Sequence, residues 1–179
     1  MKRSRVLELC LCASMAALHI VLELFCTIRI GNEIKITFAT LPFLIAGILL
    51  GPVCGLTTGL VGTFLSQMLT YGFTASTVFW ILPGMMMGLS AGLIYKCFRR
   101  KPDLRSVAVT SAGSYFVLVI FNFIASYFDG VIIFKYMTVE ALLALIPFRL
   151  ITWACMSVIY TIITLALVKV VQKRRHFAA

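Results

Sequence analysis

Acidic residues are scarce in this chain. Its 179 residues hold six Asp and Glu against sixteen Lys and Arg, with two histidines, one of them His176 in the terminal tail. That leaves little from which to build an acid–base pair, and no HExxH, GxSxG or Walker A motif is present. An enzyme, an intramembrane hydrolase in particular, needs convergent acid and base groups that these residues do not supply. The six cysteines (Cys10, Cys12, Cys26, Cys54, Cys97 and Cys155) form no CxxC pair and no Cys/His cluster. Most lie inside apolar runs, where a free thiol behaves as a small hydrophobe. Neither a disulfide framework, a metal site nor a cofactor is expected.

Charge as a whole is sparse, at 12% of residues, while 61% are hydrophobic and the mean hydropathy is +1.05. A soluble domain sits nearer half apolar and a quarter charged, so lipid is the solvent this surface requires. The net charge of +10 does not indicate nucleic acid, because the basic residues flank apolar spans and stripe no polar face. The start, Met1-Lys2-Arg3-Ser4-Arg5 and then apolar residues, imitates a signal peptide. The apolar run continues to about Ile28, too long for a signal core, and no small-residue cleavage site ends it. It reads as a retained first helix.

A spanning helix needs roughly 20 apolar residues. Six candidates follow, at residues 6–27, 36–52, 53–71, 76–95, 106–128 and 139–171, making one all-α membrane domain over 1–179. The sixth is long enough to tilt or project. Six spans place Lys2, Arg3 and Arg5, the run from Lys96 to Arg105, and the run from Lys169 to Arg175 on one side. Only Arg29, Lys35 and Lys135 fall on the other. By the positive-inside rule the first side, with both termini, is cytoplasmic, and the chain is a multi-pass protein of the cell membrane. An odd number of spans would spoil this partition. Among the outer segments, residues 28–35 are a polar connection with β-like alternation. Together with residues 71–76 and 129–138 it could cover an outward-opening pocket.

Small residues recur at helix-face spacing: Ala13 and Ala17, then Gly51, Gly55 and Gly59, then Gly84, Gly88 and Gly92. Such spacing permits close helix approach, either within the chain or against another membrane subunit. Arg149, next to Pro147 and about ten residues inside the sixth span, is the most unusual residue. A charge at that depth costs about 2.5 kcal/mol or more on insertion scales. It either pairs with an acid such as Glu23 or Glu140, or clamps a substrate carboxylate, which guanidinium matches bidentately. His19 and Glu23, four apart, share a helix face as a buried pair or a relay. Trp80 belongs either to an interfacial aromatic belt or to a stacking face for a flat ring. Ser66, Gln67, Thr77, Tyr115 and Asn122 are uncharged polar residues within spans, each individually weak.

Taken together the chain resembles the substrate-binding S components of energy-coupling factor (ECF) vitamin transporters, most closely the folate-family branch. The resemblance covers nearly the whole chain. It rests on Ala13-x-x-x-Ala17, on the block from Arg29 to Pro52 with Leu41-Pro42, Ala46-Gly47 and Gly51-Pro52, on Thr77, Trp80, Pro83 and Gly88, and on Pro147-x-Arg149. It implies a six-helix bundle that binds a water-soluble vitamin near the outer face. Its partners would be a coupling membrane subunit docked on the Ala13/Ala17 face and two cytoplasmic ATPases, so that ATP is hydrolysed in the partners. Arg29, Lys35, Thr77, Trp80, Asn122 and Arg149 are the expected substrate-binding residues. The folate branch often has an acid in the third span, whereas here Gly62 to Gln67 has none. Folate or a related anionic compound is the expected ligand. Pantothenate, a pyridoxine-like compound, or a stand-alone small-molecule transporter are the alternatives.

Overall fold

The structure, a computed structural model, describes residues 5–30, 34–98 and 103–177; the side chains of 28–30, 34–36 and 172–177 lie outside the described residues. Helix α1 is Arg5–Phe25, followed by strands β1 (Thr27–Ile30) and β2 (Ile34–Thr37). Helices α2 (Leu41–Leu50), α3 (Pro52–Tyr71), α4 (Thr77–Cys97) and α5 (Leu104–Ser126) come next. A π-helical segment, Tyr127–Ile133, extends α5, and α6 (Val139–Ala144) and α7 (Ile146–Phe177) complete the chain. Five spans are long and apolar enough to cross a membrane, and α2 is a sixth, shorter apolar helix. The expected all-helical membrane bundle is therefore present, with one small hairpin.

Three boundaries differ from the sequence reading. The second span does not begin at Ile36. Residues 34–37 pair antiparallel with 27–30, Thr27 opposite Thr37 and Arg29 opposite Lys35. The β-branched residues Ile34, Ile36 and Thr37 favour that extended state. Helix α2 starts only at Leu41, with Pro42 in its first turn, where a missing N–H costs nothing. The fifth span gains the π-helical turn. The sixth is two helices meeting at Leu145, because Pro147 has no N–H to donate back into the preceding turn. Helix α7 alone has 32 residues, about 48 Å of rise, more than the roughly 30 Å hydrocarbon core.

Helix α2 is the hub. It is apolar on every side and packs on α1, α3, α4 and α7. Phe43, Leu44, Ala46 and Ile48 are fully or almost fully buried. Tyr95, Met87 and Ala91 of α4, Val107 of α5 and Tyr160 and Val168 of α7 continue the same core. The connection to α3 is a sharp break. Gly51 takes φ +115°, a conformation that L side chains avoid, and Pro52 opens the next helix. The glycine series is internal packing: a Cβ on Gly55 would strike the Gly88 carbonyl, and one on Gly59 the Gly84 carbonyl. Helices α3 and α4 thus touch backbone to backbone. Outside this core, large apolar side chains such as Val61, Phe116, Ile151 and Ile162 face outward, as a lipid-solvated bundle requires. None of the six cysteines is in a disulfide.

Candidate functional site

A cavity of about 500 Å³ lies at one end of the bundle. Its wall comes from the C-terminal halves of α1, α3 and α5 and the N-terminal halves of α4 and α7. Those are the same ends of an antiparallel bundle. Arg5, Lys96, Arg105 and Lys169 sit at the other ends of their helices, away from the cavity.

One wall is non-helical backbone. Residues 38–40 connect β2 to α2, and Thr37 and Thr40 line the cavity. Irregular backbone at membrane depth survives only where protein satisfies its polar groups. Here His19 Nδ1 donates to the Ala39 carbonyl at 2.6 Å, so that nitrogen carries the hydrogen. The Ala39 amide donates to Thr37 Oγ1 at 3.0 Å. The Tyr160 hydroxyl donates to the Thr37 carbonyl at 2.7 Å and accepts from Thr40 Oγ1 at 2.6 Å. Tyr160 lies fourteen residues into α7, about 21 Å along it. His19 is held further by Ser66 Oγ, 3.4 Å from Nε2, and by the Phe43 ring, 4.3 Å between centroids. Its buried position on α1 is thereby explained as support for this segment.

The opposite walls carry most of the residues singled out in the sequence. Trp80 lines the cavity from the first turn of α4, half-buried. Asn122 and Tyr115 line it from α5, and Ser66 and Gln67 from α3. Arg149 lines it from α7, although at a different depth from that expected. With the sixth span broken at Leu145, it stands in the first turn of α7 and not ten residues into a helix. Its Nη2 donates to Ser126 Oγ at 2.8 Å, and its Cζ lies 5.9 Å from the Phe123 ring centroid. These contacts aim a guanidinium along the cavity wall, where fixed donors recognise carboxylates. Glu23, 8% exposed, lines the same cavity, whereas Glu140 is exposed.

Thr77 stands behind the wall. It is buried, its Oγ1 accepts from the Thr74 amide at 2.9 Å, and it closes the turn before α4. The side chains of Arg29 and Lys35 lie outside the described residues; their backbones face one another across the hairpin. Ala13 and Ala17 are both exposed on the outer side of α1, whose buried residues are Ala16, His19 and Glu23.

Several wall residues escaped sequence reasoning. Thr63 and Thr70 join Ser66, already singled out, in a hydroxyl stripe at helical spacing along apolar α3, a signal that periodicity could have exposed. Asp129 belongs to the 129–138 segment expected to cover a pocket, and the π-helical turn sets it in the wall, where it accepts from the Tyr136 hydroxyl at 3.0 Å. Tyr160 is an anonymous aromatic in an apolar run until α7 packs on α2. Among the described residues, no group of three or more His, Cys, Asp or Glu side chains could hold a metal ion.

A membrane-spanning helical bundle with a ligand-sized cavity of mixed polar and apolar lining, walled by one end of its helices, is built as a small-molecule binding component. The model of the family "ECF transporter, substrate-specific component" matches residues 8–168, and the chain belongs to that family. It is also similar to a solved structure of the S component of a bacterial ECF transporter, with a TM-score of 0.70 and 23% identity. That likeness covers 94% of this chain and 99% of the other, and at such identity it speaks for the fold. No curated protein matches the sequence.

Proposed function

We propose that this chain is the high-affinity binding subunit of an ECF-type ABC importer, taking up folate or a related anionic, water-soluble vitamin. The observation that carries this reading is the cavity itself: it holds Arg149, Asn122 and Trp80 and lies at the end away from the basic helix termini. With those termini cytoplasmic, the cavity opens outward, toward the vitamin supply. Arg149 receives the anionic group, Asn122 and the wall hydroxyls hydrogen-bond the polar edge, and Trp80 offers a stacking face. Arg29 and Lys35, in the hairpin next to the mouth, add positive potential that draws an anion in. The exposed Ala13/Ala17 face docks on the coupling subunit, and two partner ATPases hydrolyse ATP.

The test is purification of the chain with and without a coupling subunit, with mass spectrometry of whatever small molecule is retained. A retained vitamin and a stable complex are expected; absence of both would remove the proposal. In the same preparation Arg149→Ala should weaken vitamin binding more than Lys35→Ala, since the half-buried cation is less screened by solvent. Equal affinity of both variants and wild type would take Arg149 out of the site.

A further inference from the structure

A second hollow, of about 220 Å³, lies on the outside of the bundle between α5 and α7. Phe116, Ile120, Phe123 and Ile124 wall it from α5, and Ile146 and Leu150 from α7. Phe116, Ile120, Ile146 and Leu150 are exposed, so the slot opens sideways, toward the lipid that surrounds a spanning bundle. Over residues 116–124 it runs about 12 Å along α5. Among the described residues, everything that lines it is apolar except Arg149. That charge stands at one end of the slot: Arg149 is in the first turn of α7, and its Nη2 donates to Ser126, the last residue of α5. Its Cζ lies 5.9 Å from the centroid of Phe123, a ring that lines the slot and not the central cavity. Val119 and Arg149 line both spaces and form the partition between them.

A positive charge at the level of the helix ends, with an apolar slot below it, matches the polarity of a phospholipid: anionic phosphate at the interface, acyl chain in the hydrocarbon. A partner helix fits worse. It would be about 10 Å wide with its side chains, and close helix contact in lipid uses small residues, of which this slot has none. A soluble anion would leave the apolar length of the slot unused.

We propose that the α5/α7 slot binds one anionic phospholipid, with an acyl chain along residues 116–124 and the phosphate on Arg149. The guanidinium is then shared between the lipid and the central cavity. The site is additional to vitamin binding and does not depend on which ligand the cavity takes.

Native mass spectrometry tests this on the full chain, released from nanodiscs that hold phosphatidylcholine and phosphatidylglycerol in equal amounts. One phosphatidylglycerol should stay bound, favoured over phosphatidylcholine by about fivefold, the effect of one basic side chain on an anionic lipid. Arg149→Ala should remove the preference. Arg149→Lys, which keeps the charge, should retain it and guards against a folding defect in the first variant. Ile120→Trp and Leu150→Trp, which fill the slot from either wall, should each lower retention of both lipids, with far-UV circular dichroism confirming their fold. Equal retention of the two lipids by the wild type would overturn the inference. So would a preference that survives Arg149→Ala, which would put the lipid at the basic helix ends, or full retention in both tryptophan variants. Displacement of the lipid by glycerol 3-phosphate would reduce the slot to an anion site without a chain, and a second copy of the protein bound in place of lipid would make it a protein interface; either result overturns the proposal.

Discussion

Removing one hydroxyl, Tyr160→Phe, tests the account of the cavity floor most directly. The substitution leaves ring volume and apolar burial unchanged, so no cavity term enters. Two hydrogen bonds are lost, to the Thr37 carbonyl at 2.7 Å and from Thr40 Oγ1 at 2.6 Å. The Thr40 hydroxyl can rotate toward another acceptor; the Thr37 carbonyl is fixed by the hairpin. A net hydrogen bond contributes about 1 kcal/mol, and a buried polar group left unmet costs about 1–3 kcal/mol. Interhelical bonds in membrane proteins fall at the low end, averaging about 0.6 kcal/mol. A loss of about 1–3 kcal/mol is therefore expected. Reversible unfolding in mixed SDS micelles, followed by far-UV circular dichroism, measures it. Because Thr37 and Thr40 also form part of the cavity wall, ligand affinity should fall in parallel. Unchanged stability together with unchanged affinity would refute the claim that Tyr160 holds the irregular segment in place.

Three further outcomes follow from the packing. Gly88→Ala should destabilise by about 3 kcal/mol, the upper part of the overpacking range, since its Cβ meets the Gly55 carbonyl on rigid backbone; Gly113→Ala, which meets only the Ile94 Cδ1 at 3.0 Å, should stay within about 1 kcal/mol of wild type in the same unfolding assay. Ala13→Trp should abolish co-purification with a coupling subunit while preserving ligand binding, because Ala13 is exposed and the indole blocks only close approach of a second helix; lost binding with an intact complex would reverse the assignment. In single-cysteine variants, a membrane-impermeant maleimide should modify Cys26, exposed just beyond α1 at the cavity end, in intact cells, and Cys97, exposed at the last residue of α4, only after permeabilisation. The opposite pattern would invert the proposed orientation.

How much of this was legible depended on whether the signal was local. The apolar runs announced the long helices, because spanning requires about 20 residues of one character and lipid tolerates little else. Gly51-Pro52 announced the α2–α3 break, since both residues act on their own backbone. Hydropathy places the start of α2 five residues early because it does not distinguish an extended apolar segment from a helical one; Ile34 to Thr37 pass for either. Arg149 and Trp80 stood out as rare residue types in their spans, and both line the cavity. Thr77 stood out equally, yet its hydroxyl is consumed by the turn before α4.

The sequence alone determined that this chain is a multi-pass membrane protein and which helix ends carry the positive charge. Those properties are set by transfer of each segment between water and lipid, one segment at a time. The tertiary structure decided where polar groups meet. That His19 supports Ala39, that Tyr160 reaches across to Thr37, and that Glu23 and Arg149 enter one cavity from different helices are consequences of five helices packed around and beside a buried α2. A hydrogen bond between residues 123 positions apart depends on that packing, and no local pattern encodes it.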